Sequence, residues 1–255
     1  MAYKKKIVAF IDVLGFKEKT DISNPGKKNK VHINLLNIKN FIDDLNNFYN
    51  DIEPHYKIKS YRFSDSCMFS APPEALENLL DILHRMQLFF ASNDFFLRGA
   101  VTYGYIYDDS DFFYGKALNT AYKLESSVAV YPRIIFDKKV FKSIDDIANF
   151  KSPNVENNPK VFQELRRIHL KNDFDGNICI DLFRHSPYNP QFHNIFGWYD
   201  HEKMLESIYD NIIENIKKYK NQPNLLIKYI WLLENYKNYM YEQYKKEIET
   251  PDIYY

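Results

Sequence analysis

Two carboxylates stand where a carboxylate needs a reason. Asp12 ends an almost wholly apolar run, Ile7-Val8-Ala9-Phe10-Ile11. A lone carboxylate at the end of a buried strand requires a cation or hydrogen bonds to replace its lost hydration. Asp65 sits in Phe63-Ser64-Asp65-Ser66, a tight connection between two strand-like runs. Where the first strand and this hairpin are neighbours in one sheet, the two side chains converge on one spot. Hard oxygen ligands with open positions for phosphate oxygens are what a Mg²⁺ or Mn²⁺ pair requires. A plainer reading is also open, in which Asp12 caps the next element and Asp65 is an ordinary turn residue. The element order favours the first.

The elements that must position these residues follow from periodicity. Residues 6–13 form a buried strand, and residues 17–30, with Pro25 and Gly26, form a loop. Residues 31–49 repeat apolar side chains at helical spacing (Leu35, Ile38, Phe41, Ile42, Leu45, Phe48, Tyr49), and Pro54 closes that helix. Residues 56–62 and 67–70 pair as a hairpin. Pro72 and Pro73 open a helix striped by Leu76, Leu79, Leu80, Leu83, Met86 and Phe90. A strand at 95–105, a helix at 118–128 and a short strand at 133–136 follow. The first six elements make a split βαβ, ferredoxin-like arrangement, so the fold class is α+β. Residues 178–183 add a late strand, and 200–219 and 223–244 add two helices. The expected division is a catalytic domain over 1–183 and a C-terminal helical extension over 184–255 packed on it. Residues 151–160 and 184–194 read as loops.

Four motifs in this order resemble class III adenylate and guanylate cyclases. FIDVLGF, from Phe10, is similar to the first-strand signature of that family. YRFSDSCM, from Tyr61, is similar to its hairpin motif, and LRGAVTYG, from Leu97, to its Arg-then-Gly strand. YGKALNTAYKLES, from Tyr114, is similar to its Asn-x-x-x-Arg helix. The resemblance implies that Asp12 and Asp65, with the Val13 carbonyl, bind two divalent cations, Mg or Mn. It implies that Asn119 positions the ribose and that Lys123 faces the α-phosphate, with Arg98 also in the catalytic set. Positions four apart share a helix face, so Asn119 and Lys123 can reach one ligand. Lys123 departs from the family's Arg, keeping the charge and losing the planar fork.

The family's base-selecting positions are Tyr61 and Phe112 here, where purine cyclases carry a polar pair. A bulky Tyr shortens the pocket and offers one hydroxyl to a smaller ring. With FSDS on a single-domain chain, this pattern resembles the bacterial Pycsar anti-phage cyclases. That resemblance implies a pyrimidine NTP substrate, UTP ahead of CTP, a cUMP or cCMP product, and a separate effector that reads it. The tail KYIWLLENY is also similar to theirs. Class III sites form between two domains, so a head-to-tail homodimer with two sites is implied. The cation holding the β- and γ-phosphates is not identified by sequence; Lys6, Arg62 and Lys228 are the guesses. Alternatives are a degenerate cyclase-like nucleotide-binding or regulatory protein and, more weakly, a diguanylate-cyclase relative.

Bulk properties remove other classes. The 255 residues carry 34 basic and 34 acidic side chains, with no basic excess of the kind a nucleic-acid binder shows. Cys67 and Cys179 have no metal-type spacing. The apolar start is short and interrupted by Asp12, and no run spans a bilayer, so a cytoplasmic chain is expected. His185, His193 and His201 lack ligand partners at metal-site spacing, and no P-loop or dinucleotide fingerprint occurs. The YKKK and NPGKKNK runs read as solvated charge.

Overall fold

The apolar run at the N-terminus becomes an interior strand because it is apolar on both faces. The structure, a computed structural model, describes residues 3–20, 30–52, 58–109, 112–141, 169–184 and 200–249. Strand β1 (Lys4–Val13) lies between β3 (Ser66–Ala71) and β4 (Leu97–Asp108), antiparallel to both. Ile7, Ala9, Ile11 and Val13 enter one core with helices α2 (Lys30–Ile52) and α3 (Leu76–Ser92). Val8 and Phe10 pack on the other face with Ala117 and Ala121 of α4 (Lys116–Ser127). This alternation puts Asp12 on the α4 face.

Strand β2 (Lys59–Phe63) pairs with β3, and the sheet begins β2-β3-β1-β4, the order of a split βαβ fold. Beyond β4 lie β6 (Ile134–Phe136), parallel to it, then β8 (Ile178–Ile180) and β7 (Leu170–Asn172). The two-residue β5 (Phe113–Tyr114) pairs with the end of β4. The expected α+β class and core order are observed. Among the expected buried stripe of α3, all six named residues are buried.

Several expectations need correction. The expected loop at 17–30 begins as helix α1 (Phe16–Thr20). It is held there because Lys19 buries its stem and pairs with Asp94 at 2.6 Å, a tertiary tie that local sequence does not show. Strand β8 ends at Ile180 rather than 183, and the Arg184 N–H closes a turn by donating to the Asp181 carbonyl at 3.2 Å. Strands β5 and β7 are too short for a periodic signal. Pro54, the expected loop at 151–160, His185 and His193 lie outside the described residues.

Of the two C-terminal helices, α5 (His201–Lys218) packs on α3, and α6 (Pro223–Tyr244) packs on α5. Asp200 caps α5 by accepting the Lys203 N–H at 3.2 Å. Asn211 donates to the carbonyls of Ala91 and Ser92, at 3.0 and 3.1 Å, fixing α5 to the end of α3. Their apolar core includes Leu14 and Phe96, so α6 closes over the ends of β1 and β4. Among the described residues, no helix is long and apolar enough to cross a membrane.

One buried group makes the fold acid-sensitive. His84 on α3 is fully buried, and neither ring nitrogen has a hydrogen-bond partner among the described residues. Burial, then the nearby His169, pushes it from 6.5 down to about 3; Asp81, Arg85 and His201 also act on it. Burial lowers His169 as well. The unfolded chain therefore takes up these protons at a higher pH than the folded one. Stability is complete above about pH 6.5 and declines as pH falls toward 3. His84→Leu removes two unpartnered polar atoms and is expected to flatten this decline. Urea midpoints at pH 7.5 and pH 5 check it; an equal drop in variant and wild type contradicts it.

Candidate active site

Strand register brings the chemistry together. Asp12 stands opposite Ser66 on β3 and opposite Arg98 on β4. Asp65 immediately precedes Ser66 in the hairpin turn, at the same sheet end. The turn has only Ser64 and Asp65 between paired Phe63 and Ser66, and Ser64 adopts φ 55. A left-handed serine costs on the order of 1 kcal/mol, which the flanking strand pairs sustain.

Arg98 orients Asp12. Its Nε and one terminal nitrogen each donate to Asp12 Oδ2 at 3.2 Å. The same Nε lies 2.7 Å from Oε1 of Glu125, which is 2% exposed on α4. That contact is a charge pair and not a hydrogen bond, because the single Nε–H is directed at Asp12. Ser66 Oγ reaches Asp12 Oδ1 only at 3.5 Å, so this oxygen keeps open lone pairs. Burial holds the Asp12 carboxyl above its ordinary range; Arg98 opposes this and the Asp65 charge adds to it. Burial likewise raises Glu125, again against Arg98.

The donor set fits a divalent cation of the Mg or Mn kind, but only in part. Among the described residues, no three His, Cys, Asp or Glu side chains form a ready metal cage. Two carboxylates whose charges repel at one sheet end, with further oxygens supplied by phosphates, are the usual arrangement for such ions. Val13 is buried beside Asp12, in register with Leu97. Burial pushes the Cys67 thiol to about 11 and Cys179 to about 12, so neither is an activated nucleophile.

Tyr61 shares the Asp12 face, because Tyr61, Met68 and Phe10 form one row across β2, β3 and β1. Its ring stacks on Phe113 at 4.4 Å and 20°. Its hydroxyl donates to the Asp109 carbonyl at 2.5 Å. Burial raises this phenol above its ordinary range, with Asp108 and Asp109 adding to it. The expected partner, Phe112, is 63% exposed and is engaged through its N–H, which donates to Asp109 Oδ1 at 2.7 Å. The stacking partner is thus one residue further on. The β4–β5 pairing, Asp108 with Phe113, sets which aromatic turns inward.

Asn119 and Lys123 lie on α4, and both are exposed. The buried face of the helix carries Ala117, Ala121 and Glu125 instead. Within one chain, neither side chain hydrogen-bonds or ion-pairs with Asp12, Asp65 or Arg98 among the described residues. Helix α4 starts from Gly115 at φ 148, where a Cβ would come within 2.9 Å of the Tyr105 carbonyl. Glycine is therefore required four residues before Asn119. Sequence reasoning missed Glu125 and Phe113 as members of the site, although both lie within or beside the helix motif.

No protein-family model and no curated protein matches the chain. Among solved structures it is similar to a bacterial light-regulated adenylyl cyclase, at 22% identity over 56% of this chain and 80% of that one, TM-score 0.39. It is similar to the adenylyl cyclase CyaB from P. aeruginosa, at 16% identity over 58% and 84%, TM-score 0.41. It is also similar to the guanylyl cyclase Cya2, at 11% identity over 74% and 96%, TM-score 0.42. These are partial likenesses of fold at low identity.

Arg98→Met leaves Glu125 buried without its counter-charge. Loss of one partner of a fully buried pair costs about 3–5 kcal/mol. Because 25% of the Arg98 side chain is exposed, the expected loss is about 2 kcal/mol. Arg98→Met with Glu125→Leu is expected to recover most of it. Urea unfolding of both variants decides; equal losses would show that the pair is not what ties α4 to the sheet.

Proposed function

We propose that this chain is a nucleotidyl cyclase that converts a pyrimidine NTP, UTP ahead of CTP, to a 3′,5′-cyclic nucleotide and pyrophosphate. The observation that carries this reading is the meeting of Asp12 and Asp65 at one sheet end, in a charge environment that asks for a cation. The four sequence motifs fall on the elements expected for them.

Asp12 and Asp65, with the Val13 carbonyl, would hold two divalent cations, Mg or Mn, which would acidify the ribose 3′-hydroxyl and neutralise the departing pyrophosphate. Arg98 holds Asp12 Oδ2 and leaves Oδ1 with open lone pairs, so that this oxygen would be available to a cation. Asn119 orients the ribose, and Lys123 meets the α-phosphate as a point charge. Both are exposed and, among the described residues, make no hydrogen bond or ion pair with Asp12 in their own chain, which supports a site completed by a second copy. In that homodimer, Asp12 and Asp65 come from one subunit, and Tyr61, Asn119 and Lys123 from the other. Phe63, 77% exposed in the Asp12 row, and Tyr122, packed edge-on to Phe10, give the sheet face an apolar surface for such a partner.

The pyrimidine choice rests on Tyr61, and the similar solved structures are adenylyl and guanylyl cyclases by name. The Tyr61 proton is committed to the Asp109 carbonyl. Its oxygen therefore presents acceptor lone pairs, which match the N3–H of uracil or the amino group of cytosine. The stacked Tyr61 and Phe113 form an aromatic wall beside this hydroxyl, which supports a single-ring base over a purine. In line with the sequence resemblance, the product serves as an anti-phage second messenger read by a separate effector.

One observation favours a second reading. Arg98 already pairs with Asp12, so the site is partly neutralised without a metal, as in a nucleotide-binding protein that does not turn over. An equimolar mixture of UTP, CTP, ATP and GTP with Mn²⁺, analysed by mass spectrometry, separates the readings. The expected product is cUMP, reduced at least about 100-fold by Asp12→Ala or Asp65→Ala. Tyr61→Phe is expected to narrow the preference for pyrimidine over purine by about tenfold. Nucleotide binding untouched by either Asp variant, with no cyclic product, supports the second reading.

A further inference from the structure

The phosphate-binding cation that sequence leaves open is selected by geometry. Lys6 lies six residues before Asp12 on β1, about 20 Å away at the ordinary strand rise. Its amine is also bound to Asp108 at 2.6 Å, and Asp108 accepts a hydrogen bond from the buried Ser70. Arg62 is in register with Cys67 and Ile11, on the sheet face opposite Asp12. It is tied to Asp43 of α2 at 2.6 Å. Both are excluded by position and by partner.

Lys228 belongs to the early part of α6, which docks at the active end of the sheet. The Tyr229 ring packs edge-on to Phe96 at 5.6 Å, two residues before Arg98. Leu14, two residues after Asp12, lies in the same apolar cluster as Tyr229 and Leu232. The Leu14 N–H donates to the Phe96 carbonyl at 2.8 Å, locking the two strand ends that receive the helix. Lys228 therefore enters beside the strands that carry Asp12 and Arg98. Its charge is felt by Glu125, and it feels Arg98, Glu125 and Asp12 in turn. Yet it makes no ion pair among the described residues, and it is only half-buried.

A partly desolvated ammonium with three donors and no counter-charge in contact is a poor structural element and a good anion site. Burial, then Arg98, lowers its pKa, which marks a repulsion that an incoming polyanion would relieve. We infer that Lys228 binds the β- and γ-phosphates of the nucleotide and the pyrophosphate product, so that the C-terminal helix is part of the active site rather than an accessory to it. This rests on the nucleotidyl cyclase reading above. It places Lys228 on the same subunit as Asp12 and Asp65, at the triphosphate end of the site.

The test uses the full-length protein with inorganic pyrophosphate and Mn²⁺ as the probe, followed by calorimetry. One charge-assisted contact corresponds to about a tenfold to hundredfold change in affinity. Lys228→Met is expected to weaken pyrophosphate binding by at least about tenfold, to leave UMP binding within about twofold, and to raise KM for UTP more than it lowers kcat. Lys228→Arg is expected to restore most of the pyrophosphate affinity, which a purely structural lysine would not do at unchanged melting temperature. Lys228→Gln, of similar length, serves should the Met variant fail to fold. Unchanged pyrophosphate affinity in a folded variant overturns the inference, as does wild-type protein that binds no pyrophosphate. Wild-type protein that binds pyrophosphate through Lys228 but cyclises none of the four NTPs overturns the cyclase reading alone.

Discussion

The site depends on keeping a carboxylate charged at the end of a buried strand. Asp12 has lost much of its hydration, and Asp65 adds a second negative charge nearby. Arg98 supplies the compensation, and it does so while also serving Glu125, a carboxylate sealed beneath α4. One guanidinium therefore couples strand β1, strand β4 and the helix that carries Asn119 and Lys123. Around it, three carboxylates face two cations, Arg98 and Lys228.

The C-terminal helices extend this logic. Their core reaches Leu14 and Phe96, so α6 rests on the residues that flank Asp12 and Arg98. Tyr219 stacks on Tyr229 at 5.6 Å, and Tyr131 stacks on Trp231 at 5.3 Å. Arg133, almost fully buried, sits over Tyr131 and Trp231 and pairs with Asp173 and Asp175 of the β7–β8 turn. Its carbonyl accepts the Gly99 N–H at 3.1 Å, next to Arg98. The aromatic density of this tail is thus packing that fixes where α6 meets the sheet.

Much of the site's frame was legible in sequence because period-two strands and a two-residue hairpin leave little freedom of register. The convergence of Asp12 and Asp65 follows once β1 and the β2–β3 hairpin are sheet neighbours, which the split βαβ element order implies. The α3 stripe and the bounds of α6 were equally plain. What was not legible depended on tertiary partners. Helix α1 exists through Lys19 and Asp94, far apart in the chain. Phe113, not Phe112, stacks on Tyr61 because a two-residue strand sets the parity. Glu125 carries no local signal of burial; its pairing with Arg98, 27 residues away in the chain, is tertiary. Sequence does not separate Lys228 from Lys6 and Arg62; the ion pairs of Lys6 with Asp108 and of Arg62 with Asp43 do.

The central claim is that Asp12 and Asp65 share a divalent-cation cluster completed by nucleotide phosphates. Anomalous diffraction from crystals grown with Mn²⁺ and a non-cyclisable UTP analogue addresses it most directly. The account predicts anomalous density at coordination distance from both carboxylates and from the triphosphate. A bound nucleotide with no anomalous density against either aspartate would contradict it.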